Sequence, residues 1–148
     1  MAMGQFAYAN NSNRFLAVEA LHEQPFALMG IPFDGAVTNR PGARFGPQEI
    51  RRASLMLCDG LHPLFGVSPV GYLGDAHDMR LPNASALTQV RALIQAQAAA
   101  LMAKHHCVFL GGDHSVTLPL LRAARAQYGE LAMVHFDAHC DTWTDHFG

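Results

Sequence analysis

Charge is scarce in this chain. Only 15% of its 148 residues are Asp, Glu, Lys or Arg, and the formal net charge is -2. That balance supplies no positive field for nucleic acid or for an anionic membrane surface, so neither is an expected partner. Long apolar runs are missing as well. No stretch approaches the roughly 20 apolar residues that span a bilayer, and the opening "MAMGQFAYANNSNRFLAVEAL" has no basic region followed by an apolar one. The expected location is the cytoplasm. Cysteine is limited to Cys58, Cys107 and Cys140, an odd and scattered set that suits reduced thiols better than a disulfide framework. The sequons at Asn10 and Asn83 then carry no information. Low-complexity tracts, linkers and fixed-period repeats are also absent, which leaves one globular domain or a piece of one.

What is present alternates between two patterns. Short apolar runs bounded by Gly or Pro read as buried strands: "FALMGI" (26–31), "VSPVGYLGD" ending near Gly74, "CVFLGG" from Cys107, and "LAMVHFD" (131–137). Between them lie helical stretches. Pro47 suits the first turn of "PQEIRRASLMLC", and Asn83 or Ser85 is placed to cap a helix over about 84–104 with Leu87, Val90, Ile94, Leu101 and Met102 on its apolar stripe. "SVTLPLLRAARAQYG" gives a third helix with Gly129 as its stop. Strands alternating with helices predict a mainly parallel sheet covered on both faces, an α/β class. Residues 1–24 show little periodicity and read as an arm, with the domain proper over 25–148. The last apolar run is followed by a loop with no helix to cover it, so the domain reads as the first part of something larger.

Ligands of open parallel sheets bind beyond the carboxyl ends of the strands. The third run delivers "GGDHS" (111–115) to that edge and the fourth delivers "DAHCD" (137–141). If those strands are neighbours, His114 lies near Asp137, His139 and Asp141. In an extended segment residues 137, 139 and 141 project to one side, with Cys140 turned away. Oxygen and nitrogen donors without thiolate suit a divalent ion of the Mn type, or Zn. Two Asp and two His exceed the needs of one ion, and a pair of ions about 3.5–4 Å apart with a bridging Asp would use them all. The plainer alternative is a solvated loop. A second "DAH" stands in "GDAHD" (74–78), where Asp75 and His77 lack a third alternate donor, and that copy reads as structural. His135 reads as a packed histidine, and His62, His105 and His106 as solvent-facing or structural. "GGDHS" lacks the lysine and glycine spacing of a phosphate loop. The arginines at 40, 44, 51 and 52 read as a solvated loop and helix face, with Arg44 or Asn39 as candidates to shape the mouth of the site.

Taken together, "GIPFDGAVTNRPGARFGPQEIR", "GGDHSVTLPLLR" and "LAMVHFDAHCDTW" resemble the ureohydrolase family of arginases, agmatinases and guanidinobutyrases, and within it the bacterial agmatinases. The resemblance implies a three-layer α/β/α fold, two Mn2+ ions and hydrolysis of agmatine to putrescine and urea, in trimers or hexamers. It assigns His114 and Asp141 to one manganese, His139 to the other and Asp137 to both, with Asp141 also orienting the nucleophile. Two further aspartates, from an "SxDxDxxDP"-like strand, and a histidine downstream of the loop are missing from this chain. That shortfall predicts weak metal binding. Other readings stay open: a non-catalytic fragment or assembly partner, specificity for a guanidino acid as in guanidinobutyrases, or a deacetylase-like amide hydrolase with a single zinc.

Overall fold

The computed structural model describes residues 13–57, 60–83 and 85–141. Its centre is a parallel sheet of three strands, β1 (Phe26–Gly30), β2 (Leu73–Asp78) and β3 (His106–Leu110), in the order β2-β1-β3. Three helices connect or follow them: α1 (Gly46–Ser54), α2 (Leu87–Met102) and α3 (Thr117–Tyr128). The α/β class expected from the alternation is the class observed.

Alternation along β1 assigns its faces. Met29 and the following Ile31 pack into a core with Val90, Ile94 and Ala98 of α2 and Ala123 of α3. Gly30 points the other way, onto α1. A Cβ at Gly30 would sit 1.9 Å from Asp78 Oδ1 and 2.8 Å from Pro47 Cβ, so glycine is the residue that lets α1 lie this close. The loop after β1 therefore leads to one face of the sheet and the loop after β3 to the other. Neighbouring strands whose connections part in this way leave a crevice at their carboxyl ends.

Several expectations are corrected. The second strand is Leu73–Asp78, not a run ending near Gly74, because Tyr72 and Leu73 both donate to Pro69 O and Gly71 takes φ +90, which makes 69–72 a turn. Neither Asn83 nor Ser85 caps α2. Gln89 and Val90 donate instead to the carbonyl of Ala86, which places Ser85 one residue outside the capping position. Helix α1 stops at Ser54, whose hydroxyl bonds back to Arg51 O at 2.7 Å; Cys58 lies outside the described residues.

The fourth apolar run is not a strand here. Residues 131–137 make no ladder with β3, and Val134 and Phe136 are 81% and 95% exposed. A buried-type strand forms where both faces are covered, and without that burial too little is gained to offset fixing its backbone. The arm, in its described part, lies along the outer edge of β2: Leu21 N donates to Asp75 O, and Asp75 N to Glu19 O, each at 3.0 Å. Residues 1–12 are outside the described residues. No helix among the described residues is long and apolar enough to cross a membrane.

Candidate metal site

The crevice between β1 and β3 has two lips. One is the loop after β1, which Asp34 holds in shape. Buried to 2% exposure, its carboxylate accepts from Gly42 N at 2.6 Å and from the Arg44 guanidinium. The Arg44 hydrogen bond is the largest influence on Asp34 and holds its carboxyl below the usual range against the opposing effect of burial. Arg44 thus shapes the lip as an anchored residue, whereas Asn39 stays exposed. The other lip is the turn His114–Val116 that opens α3, capped by the Asp113 side chain.

At this second lip the chain brings four donors together. Ligand atoms of His114, His135, Asp137 and Asp141 all lie within 4.8 Å of one another. His114 Nε2 is 2.8 Å from Asp141 Oδ2, while its Nδ1 lies 3.4 Å from Thr117 Oγ1, which sets the ring with Nε2 toward the cluster. The His135 ring stacks parallel on that of His114 with centroids 5.3 Å apart, and its Nε2 is 3.4 Å from Asp137 Oδ2. Asp137 Oδ1 accepts from His139 N at 2.9 Å. That bond does most to hold the Asp137 carboxyl below the ordinary carboxylate range; desolvation opposes it, and the imidazoles of His135, His114 and His139 add smaller lowering effects.

Of the residues singled out from sequence, His114, Asp137 and Asp141 converge and His139 stays at the margin. Its ring is 83% exposed, with Nδ1 3.7 Å from Asp137 Oδ1. His135, read as a packed histidine, takes a place in the cluster instead. The alternation argument fails at a definite point: the chain bends at 138–139 and Asp141 adopts φ +50, so only 135 and 137 keep extended spacing. Applied one step upstream, the same rule would have found His135. The neighbouring-strand premise also fails, since Asp141 reaches His114 from a segment that is not paired with β3.

The "GDAHD" copy behaves as the structural reading expects, through a partner that the sequence did not announce. Arg51, read as part of a solvated face, is 1% exposed and grips Asp75 with Nε at 2.8 Å and Nη2 at 2.9 Å, Asp78 with Nη1 at 2.5 Å, and His77 O at 3.0 Å. The signal was its spacing: Pro47, Arg51 and Ser54 form the buried stripe of α1. Asp75 also accepts from Phe15 N at 2.9 Å, which fastens the arm. His105 serves structure too, its Nδ1 lying 2.8 Å from Gln24 O.

Four nitrogen and oxygen donors converging at a sheet's carboxyl edge, accessible to solvent and unmixed with thiolate, fit a hard or borderline divalent ion. Residues 24–148 match the arginase family. An agmatinase of Chromobacterium violaceum is 42% identical over 129 residues, covering 80% of this chain and 38% of the relative. A guanidinopropionase of Pseudomonas aeruginosa is 39% identical, covering 82% and 38%. The proclavaminate amidino hydrolase structure from Streptomyces clavuligerus superposes with TM-score 0.78 at 33% identity, covering 95% of this chain and 48% of that one. The chain therefore spans less than half the length of these relatives.

Proposed function

Since the chain belongs to the arginase family, we propose that it is the N-terminal part of a metal-dependent enzyme that hydrolyses a guanidino compound, agmatine foremost, to an amine and urea. The observation that carries this reading is the convergence of His114, His135, Asp137 and Asp141 within 4.8 Å near the carboxyl end of β3 in an arginase-family fold.

In this reading His114, Asp137, His139 and Asp141 would hold a pair of manganese ions, with the His135 imidazole beside them. The chemistry such ions would supply is a hydroxide available near neutral pH for attack on the guanidinium carbon. The protein's own residues do the positioning. Thr117 keeps His114 Nε2 facing the cluster, and the His139 N–H occupies Asp137 Oδ1, leaving Oδ2 directed toward His135. Asp141 has one oxygen against His114, and its carboxylate would orient the attacking oxygen. Water adds to the carbon, the C–N bond to the alkyl amine breaks, and a proton goes to the departing nitrogen, giving putrescine and urea from agmatine.

Relatives named guanidinopropionase and proclavaminate amidinohydrolase support a wider substrate class, in which the far end of the guanidino compound varies. The same reading includes a cytoplasmic location and assembly into trimers or hexamers. The decisive experiment measures urea release from agmatine and from 4-guanidinobutyrate with Mn2+, for the parent and for Asp137→Ala, with bound metal determined by elemental analysis. Urea formed by the parent and lost in the variant supports the proposal. Metal-loaded protein that forms no urea from either compound, even when supplied with the complementary half of a family member, favours a non-catalytic role. Loading by Zn2+ in preference to Mn2+ with amide hydrolysis would favour the single-zinc alternative.

A further inference from the structure

We infer that Asp113 is a positioning residue: its carboxylate ties the lip that carries His114 to the lip formed by the loop after β1, and thereby sets where the His114 imidazole stands. The two lips are in backbone contact. Asp113 N donates to Phe33 O at 2.8 Å, and a Cβ at Gly112 would lie 1.7 Å from that same Phe33 oxygen. Across this contact the side chain, 8% exposed, spends both oxygens. Oδ1 accepts from Ser115 N at 3.0 Å and from Ser115 Oγ at 2.5 Å; Oδ2 accepts from Ala36 N at 2.8 Å. One oxygen thus closes the turn that aims His114, and the other reaches 77 residues back to Ala36.

All these donors are neutral, so an ion pair is not what the position selects. Two acceptor oxygens are. Asparagine offers one acceptor and one donor, and its NH2 group must face either the Ala36 N–H or the Ser115 N–H, which opens one tie whichever way the amide turns. Glutamate keeps two oxygens but displaces them by a methylene. Residues of this kind, one step behind a ligand, orient it, and their loss characteristically weakens metal binding.

The inference rests on the proposed metal site, and its test separates the two. In the metal-free chain, the His114 ring signal in a 1H–13C spectrum, assigned by its loss in His114→Gln, is compared among parent, Asp113→Asn and Ser115→Ala. Mn2+ uptake is followed separately by water-proton relaxation. Asp113→Asn is expected to broaden or move the His114 signal while leaving that of His62, stacked on Phe65, in place, and to weaken Mn2+ binding by roughly 10- to 100-fold. An unmoved His114 signal in folded Asp113→Asn overturns the inference. Should that variant not fold, Ser115→Ala decides: it keeps the tie to Ala36 and the Ser115 N–H bond and removes only the hydroxyl bond to Oδ1, so a smaller displacement of the His114 signal is expected and an unmoved signal overturns the inference. A parent that takes up no Mn2+ counts against the metal site, and the metal-free spectrum still decides the role of Asp113.

Discussion

Arg51 is the residue on which the β2 side of the molecule depends. Its guanidinium satisfies two buried carboxylates and a carbonyl, and removing it would leave Asp75 and Asp78 charged in a site closed to water. Arg51→Met is therefore expected to cost about 3–5 kcal/mol in urea denaturation. The carboxylates also predict a pH dependence. Burial pushes Asp75 up, yet the Arg51 hydrogen bonds and the Phe15 and His77 N–H groups outweigh it and hold the carboxyl below its ordinary value; Asp34 is held down by Arg44. A depressed carboxyl stabilises the fold fully above its unfolded pKa, about 4, and that contribution is lost as pH falls through the folded value. Denaturation midpoints should stay level from neutral pH to about 5 and drop below about 4. In Arg51→Met the share of that drop due to Asp75 should shrink. None of this pairing was legible from composition. A single arginine on a helix reads as solvated unless the carboxylates of a separate strand are known to face it.

Where sequence patterns were local, the elements came out as read: β1 and β3 from short apolar runs between Gly and Pro, and α3 with Gly129 at φ +85 as its stop. Where an element's limits depended on a distant partner, the reading shifted. The second strand runs on through "DAHD" because Asp75 and Asp78 are drawn inward by Arg51, which an apolar-run criterion does not register. Close approach between elements gives a sharp test. Gly30→Ala forces Cβ into Asp78 and Pro47, so α1 must lift from the sheet, and the thermal midpoint should fall by an amount matching at least about 1–3 kcal/mol. Gly129→Ala meets no neighbouring atom within 4 Å, but at φ 85, ψ -136 a Cβ strains the backbone of the helix stop, so its penalty, about 1–3 kcal/mol, should come without any movement of α1.

For the molecule as a whole, the sequence made the fold class legible and picked out three of the four donors that converge, His114, Asp137 and Asp141; His135 reads as packed only if 131–137 is a buried strand, and that run is unpaired and exposed. Apolar surface remains bare along the β3 side, where Val108, Val134 and Phe136 are 49%, 81% and 95% exposed. The isolated 148-residue chain is expected to self-associate as its concentration rises, and Val134→Lys with Phe136→Lys should restore a smaller species in sedimentation velocity. Sedimentation unchanged across concentration in the parent would contradict this. The repeated tripeptide Asp-Ala-His occurs in two electrical settings within one chain. At 75–77 the counter-ion is an arginine tethered to the chain through α1 and unable to leave; at 137–139 the carboxylate has, among the described residues, the His139 N–H and the imidazoles of His135 and His139 beside it. The first copy is therefore expected to be indifferent to chelators and added cations, and the second to respond to them where the proposed site takes up metal, so that one chain would carry a reporter and its own internal control.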